Sequence, residues 1–504
     1  MIKTFRDYAG NFSETCDVCI IGSGPGGGVM AKELAEKGVN VVLLEEGGHY
    51  TVNDWDGKPA KGLIDMYRGG GSTGTLGNPF ISITLGKCIG GTSTINSATC
   101  FRTPGHILKK WRDELGLDTM TDETLNPYFD RVEKIVNVTE LPWDILGNNA
   151  AIVKRGCDTL GYTCRPLKHN VKDCKGCGPC QFGCPENSKQ SVNVTYIPLA
   201  DKAGARIYAD CRADRIVTKN GAAEGVEASV VAPKTGKTVY RVTVKANSVV
   251  VSCGALITPS FLKWNGLNNR NIGRHLQIHP ASRVVALMDE VVEGWKGVSQ
   301  GAYIDDFEGE GIIMEGVMVH PSLLFAALPG VGYEHKELAV KYRNMAAFGV
   351  MAHDETEGRV LKGFSLKKSK GVVAYYQIRR SDSEKLKRAI AYLAKIFFAA
   401  GARRVYTSIS KMPHLDSAED ADRLLKLRVK PSQIETMAFH PLGSCRMAAT
   451  PKLGAVDKYG ESFEVKNLYV ADGSIVPTSL GVNPQITIMA LSNYVADAIC
   501  SRLA

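Results

Sequence analysis

Four thiols crowd into one short stretch, Cys174-x-x-Cys177-x-x-Cys180-x-x-x-Cys184, with Pro185 directly after it. This is the spacing by which bacterial ferredoxins hold an iron–sulfur cluster. The short spacers bring thiolates to the corners of one cube, and Gly176 and Gly178 leave room for inorganic sulfide. In two-cluster ferredoxins the fourth cysteine serves the other cluster. A single run therefore predicts either a [4Fe–4S] cluster, held by all four thiols or by three and a remote residue, or a [3Fe–4S] cluster. A tetrahedral zinc and a metal-free structural loop stay open as alternatives. The chain carries 14 cysteines in all. In a reducing compartment that density points to metal or redox chemistry, not to a disulfide framework.

A second constellation is Gly22-x-Gly24-x-x-Gly27. The first glycine allows a tight turn and the second lets the backbone approach a pyrophosphate. The third lets a helix pack closely on a strand, and the helix N-terminus attracts the phosphate charge. Glu45 stands about 20 residues on, where a carboxylate takes ribose hydroxyls, with Glu46 as its neighbouring alternative. The motif alone does not separate FAD from NAD.

The elements that must position these groups can be read from periodicity. Val18–Ile21 reads as a buried strand, 29–37 as a helix and 39–44 as the next strand, a βαβ unit around the glycines. Residues 66–94 are rich in Gly, Ser and Thr and too long for a single turn, so they are expected to wrap a ligand. Residues 107–160 read as helices, and the cysteine loop follows. The stretch 191–255 alternates as a β-meander returning to the nucleotide domain. From 281 to 406 the pattern is of strands with one helix near 384–400. The expected class is α/β, α+β overall: a Rossmann-like domain with an inserted antiparallel-sheet substrate domain. Its divisions fall at 1–280 (with a helical and cysteine-bearing insertion about 107–190), 281–434, and a return at 435–504.

Length and charge exclude little else. At 504 residues, with 44% hydrophobic and 22% charged residues, the composition is globular. The net charge of +9 is scattered. The densest basic stretch, Lys362 to Lys370, reads as a solvated face, and no nucleic-acid partner is expected. No apolar run approaches the ~20 residues of a membrane span, and the N-terminus lacks a signal-peptide core. The expectation is a cytoplasmic protein, with export on a partner subunit left open.

Further motifs carry a family resemblance. GKCIGGTSTIN (86–96) resembles the first sequence pattern of the glucose–methanol–choline (GMC) oxidoreductases. GALITPSFLKWNGL (254–267) resembles their second, with Asn265 in place of the usual Ser. AFHPLGSCRM and NLYVADGSIVPTSLGVNPQITIMAL are similar to their C-terminal active-site segment, nearest to the cholesterol oxidase and long-chain alcohol oxidase branches. The matches run in family order from residue 17 onward, and the middle third matches only loosely. The resemblance implies FAD, with its flavin-facing loop on Gly90, Gly91, Thr92, Ser93 and Asn96. Asp472 and Gly473 would lie against the cofactor, and Pro484 and Gln485 near the flavin ring. Ile95 stands where some relatives carry a histidine that attaches FAD covalently, which implies non-covalent FAD.

The family's catalytic histidine falls on His440 and its partner on Asn483. An imidazole suits removal of a hydroxyl proton, because its ordinary pKa is near neutrality. An amide can hold the substrate oxygen without competing for that proton. Some sugar dehydrogenases of the family pair FAD with an iron–sulfur cluster and a cytochrome subunit. The leading expectation is therefore an alcohol dehydrogenase, acting on a small-molecule alcohol and passing electrons to an accepting protein subunit. A peroxide-forming sterol or long-chain alcohol oxidase with an inert cysteine loop is the alternative, and a flavin-bound lyase a third. His279 is expected to be structural, and His353 has no assignment.

Overall fold

The strand that opens the nucleotide unit runs Phe12–Ile21, longer than its apolar run Val18–Ile21 foretells. Its first half holds Ser13, Glu14 and Thr15, outside that apolar run. The long strand Thr238–Val251 supplies the missing register, pairing in parallel from Val242 opposite Phe12 to Val251 opposite Ile21. The structure is a computed structural model that describes residues 1–317, 320–363 and 371–503. Of the basic stretch 362–370, residues 364–370 lie outside the described residues.

The helix after the glycine loop spans Pro25–Glu36, beginning four residues before the expected 29. Three successive glycines discourage a helix on propensity, but tertiary packing demands them. A Cβ on Gly26 would stand 1.8 Å from the Ala471 carbonyl oxygen, and one on Gly27 1.8 Å from that of Gly22. Pro25 at the first helical position has its φ already set for the helix. The next strand is Val41–Leu44, paired in parallel with Phe12–Ile21.

These strands belong to an eight-stranded sheet in the order 2–3, 206–208, 41–44, 12–21, 238–251, 222–231, 211–219, with 468–470 also beside 238–251. The pairs through 12–21 are parallel, and 211–219, 222–231 and 238–251 form the antiparallel meander that the alternation predicts. Parallel pairing requires cover on both faces. The helices Pro25–Glu36 and Gln485–Leu503 pack against each other within that cover, inside one continuous core.

A second, nine-stranded sheet holds Ala281–Leu287, Ala302–Ile304, Ile312–Gly316, Met345–Ala352 and Arg404–Tyr406 in antiparallel pairs. The helix Arg380–Ala399 buries Leu386, Ile390, Leu393 and Phe397 against this second core. Three of its pieces come from outside 281–434: Arg165–Pro166 at one edge, and Ser82–Ile83 paired with Met437–Ala438. Two-residue strands carry no period that a sequence can reveal.

Candidate functional site

A cavity of about 930 Å³ runs between the two sheets. Gly22, Gly24, Glu45, Gly91, Thr92 and Asn96 line it, as do Asp472, Gly473, Pro484 and Gln485. Gly27, Gly90 and Ser93 stand behind this wall. Ser93 Oγ donates to the Gly90 carbonyl and accepts from Val192 N, and Gly90 N donates to Ser23 Oγ. At the nucleotide end Gly24 and Gly91 meet back to back: a Cβ on Gly91 would lie 2.8 Å from Gly24 Cα. A Cβ on Gly24 would meet nothing nearer than Gly91 Cα at 3.9 Å, so its backbone is bare toward the cavity. The helix Pro25–Glu36 starts there and aims its positive end at the same space.

Glu45 is buried at the end of Val41–Leu44. Its Oε2 accepts from Ser23 N at 3.0 Å and Ser23 Oγ at 2.7 Å, and its Oε1 from Gly47 N at 2.8 Å. The carboxylate therefore fastens the glycine loop, and its remaining lone pairs are what it can offer a ribose. Burial pushes its pKa up, against those hydrogen bonds. Burial also raises Glu46, but Arg68 at 2.7 Å and Lys87 at 3.5 Å outweigh it and hold that carboxyl down to about 2. Arg68, which lines the cavity, was not signalled by any motif. Asp472 accepts from Gly254 N and Ser474 N, both backbone donors, and so pins two loops under the cavity floor.

At the other end His440 Nε2 lies 3.4 Å from Asn483 Nδ2, close enough for one hydroxyl oxygen beside them to meet both. Among the described residues His440 Nδ1 and Asn483 Oδ1 are buried without partners. The His440 ring lines the cavity, and burial pushes its pKa down to about 4, so the imidazole is neutral and can accept a proton. Glu315, invisible to sequence reasoning, completes this end. It sits on Ile312–Gly316, accepts from Gln300 Nε2 at 3.1 Å, and keeps Oε1 unpaired among the described residues. Burial pushes it up to about 7, against Asn483 and Gln300. Only a strand register could have found it.

The thiol loop abuts the same cavity. Cys180 and Cys184 are buried, Cys174 is half-buried and Cys177 is exposed; none forms a disulfide. Gln181 and Phe182, between Cys180 and Cys184, line the cavity wall. Tyr67 Oη donates to the Gln181 carbonyl at 2.9 Å, and Gln181 Nε2 to Ser97 Oγ at 3.0 Å. Lys189 fastens the loop to the flavin-facing segment: its buried Nζ donates to the carbonyls of Thr94 (2.7 Å), Asn96 (2.9 Å) and Cys180 (2.8 Å). Contact with Cys177, then the backbone N–H groups of Lys189, Ser188 and Glu186, hold the Cys184 thiol down to about 5 despite its burial. Among the described residues no three His, Cys, Asp or Glu side chains gather tightly enough to hold a single metal ion.

His279 is buried, as a structural histidine would be, and accepts from Leu480 N and Gly481 N at Nε2. His353 lies beside Gly481, away from the cavity lining.

A dinucleotide fold with a long cleft ending in an imidazole and an amide fits a nucleotide-dependent oxidoreductase, and the comparisons name its cofactor as FAD. Comparison with known proteins agrees: models of the GMC oxidoreductase family match residues 63–281 and 367–492, and an FAD-binding domain matches 15–54. A GMC-type oxidoreductase of Mycobacterium tuberculosis is 35% identical over 97% of this chain and 76% of its own length. A long-chain-alcohol oxidase of Arabidopsis thaliana is 29% identical over all of this chain and 70% of its own. Among solved structures, a fungal aryl-alcohol oxidase superposes with a TM-score of 0.68 at 15% identity, covering 97% of this chain and 99% of that one. At that identity the likeness concerns the fold. The chain belongs to the GMC oxidoreductase family and is an FAD-dependent oxidoreductase. Among the described residues no helix is long and apolar enough to cross a membrane.

Proposed function

We propose that the protein oxidises a primary or secondary alcohol to a carbonyl on non-covalently bound FAD, and passes the electrons through an iron–sulfur cluster on its 174–184 loop to a protein acceptor. The observation that carries the reaction is the His440–Asn483 pair at the end of the cavity. Bound FAD supplies the acceptor for the carbinol hydrogen and its electron pair. His440 Nε2, neutral and unprotonated, takes the hydroxyl proton. Asn483 Nδ2 donates to the same oxygen and holds the carbinol carbon in place. Glu315, which lines the same end of the cavity, would bias which way that amide faces.

Gly24, Gly91 and the start of the helix Pro25–Glu36 would cradle the pyrophosphate, and Glu45 the ribose. Ile95 lines the cavity and offers no nucleophile for a covalent link. Residues 1–280 and 435–504 would form the FAD-binding part, and 281–434 the part that selects the alcohol. The cluster would be held by Cys174, Cys177, Cys180 and Cys184 and would supply a one-electron exit. Two features support it: Cys180 and Cys184 bracket two residues of the cavity wall, and among the described residues no carboxylate pairs with the buried Lys189 ammonium beside them. A cation so placed favours negative charge on the thiols.

The test is anaerobic purification, an iron and acid-labile sulfide assay, and an absorption spectrum during titration with 1-dodecanol, cholesterol and glucose. Iron at three or four atoms per chain, about the content of the candidate clusters, with flavin bleaching by one alcohol, is the expected outcome. Bleaching without iron, followed by peroxide release in air, would replace the dehydrogenase with a sterol or long-chain alcohol oxidase. That reading is favoured by the alcohol oxidase relatives. Bound FAD that none of the alcohols bleaches would remove the alcohol reaction itself.

A further inference from the structure

Asn483 sits in a segment without helix or strand, just before the helix Gln485–Leu503 begins. Something other than secondary structure must therefore hold it. Three successive backbone amides of that segment are taken by two side chains from a neighbouring loop. Ser479 N donates to Gln277 Oε1 at 2.6 Å, and Leu480 N and Gly481 N both donate to His279 Nε2 at 2.9 Å. The neighbouring loop is itself fastened. Ile278 N and His279 N donate to the two carboxylate oxygens of buried Asp354, and Gln277 Nε2 donates to its carbonyl. The His279 ring also stands edge-on to that of His440, with centroids 5.3 Å apart. His279 thus touches His440 through its ring and, through Leu480 N and Gly481 N, holds the segment that leads into Asn483.

We propose that His279 is a positioning residue for the His440–Asn483 pair, acting as the acceptor that seats the 480–483 segment. The inference rests on the reading that this pair works on an alcohol. Two N–H donors aimed at Nε2 leave no room for a proton there, so the ring proton is on Nδ1. Nδ1 is buried and unpartnered among the described residues, so a second proton at Nε2 would both charge a dry site and break two hydrogen bonds. The titratable groups facing the ring are His440, His353 and, through the backbone, Asp354. A neutral His279 places no positive charge against His440 when that residue takes the hydroxyl proton.

The experiment compares His279→Leu, which removes the acceptor, with His279→Gln, whose side-chain oxygen can accept an N–H. Both are studied with FAD bound. The first readout is the anaerobic rate of flavin bleaching at saturating concentration of whichever alcohol, 1-dodecanol, cholesterol or glucose, bleaches the wild type fastest. His279→Leu is expected to slow it ten- to a hundredfold per bound flavin, the order of effect of an ångström-scale misplacement. The half-saturating concentration should change less, and His279→Gln should recover most of the rate. A leucine variant that bleaches at the wild-type rate, or a glutamine variant as slow as the leucine one, overturns the proposal.

The second readout needs no substrate and covers a leucine variant that fails to fold. In enzyme carrying ¹⁵N-labelled histidine, the resonances lost in His279→Gln should show a neutral Nδ1–H imidazole from pH 8 down to pH 5. An Nε2–H tautomer, or an imidazolium at pH 7, overturns it. Failure of the wild type to bleach with any of the alcohols counts against the proposed reaction, and leaves the tautomer result to decide on His279.

Discussion

Glu315→Gln should flatten the pH dependence of stability between pH 5 and pH 8. Burial pushes the Glu315 carboxyl up to about 7 from its ordinary 4.5, against Asn483 and Gln300. A carboxyl with a raised pKa binds its proton more tightly in the folded than in the unfolded chain. Its stabilisation is thus complete below about 4.5 and is lost as pH rises through about 7. The shift of ~2.5 units at ~1.4 kcal/mol each is ~3 kcal/mol, of which ~2.5 kcal/mol disappears between pH 5 and pH 8. For 504 residues the unfolding entropy is of order 1 kcal/mol/K, so the expected loss in Tm is ~2–3 °C. The assay is thermal melting of FAD-loaded wild type and Glu315→Gln at both pH values. The quantity read is the pH response of one minus that of the other. Glutamine keeps an oxygen to accept from Gln300 and cannot ionise, so the variant should lack this part of the response. Equal responses in the two proteins would refute the reasoning, since Glu315 would then be ionising as an exposed carboxyl does.

Three further outcomes follow from the same geometry. His440→Ala should lower the rate of alcohol-dependent flavin bleaching by ~10²–10⁴, the usual worth of a general base, with FAD still bound in the absorption spectrum. A rate near wild type would place the base elsewhere. Gly27→Ala should yield protein without FAD, because its Cβ would stand 1.8 Å from the Gly22 carbonyl oxygen, a backbone atom that cannot yield without moving the phosphate loop; flavin content per chain decides this. Cys184→Ser should abolish iron and labile sulfide while the flavin spectrum persists, and iron unchanged from a wild type that contains it would exclude that thiol as a ligand.

The contacts around each motif explain which parts of the molecule can be read before folding. Gly22, Gly24 and Gly27 declare a phosphate loop because local chemistry alone requires glycine there. The apolar run Val18–Ile21 and the alternation of 211–251 declare their strands for the same kind of reason. Local periodicity failed for Phe12–Asp17, made a strand by the partner Thr238–Val251, and for Pro25–Gly28, where the close approach of Ala471 and Gly22 requires glycines that helix propensity alone would not place there. His440 and Asn483 were marked by family likeness, and no spacing could have shown that they meet, because 42 residues separate them.

Glu315 lay wholly outside sequence reasoning: a glutamate in a short apolar strand reads as an exposed face until register turns it to the cavity. The four cysteines announced their spacing plainly. That Gln181 and Phe182 form part of the cavity wall, with Lys189 tying Cys180 to Asn96, was decided by tertiary structure alone. The physical reason is one of range. Backbone conformation and phosphate approach are settled by neighbours in the chain, whereas burial, pKa and the meeting of distant side chains are properties of the packed interior.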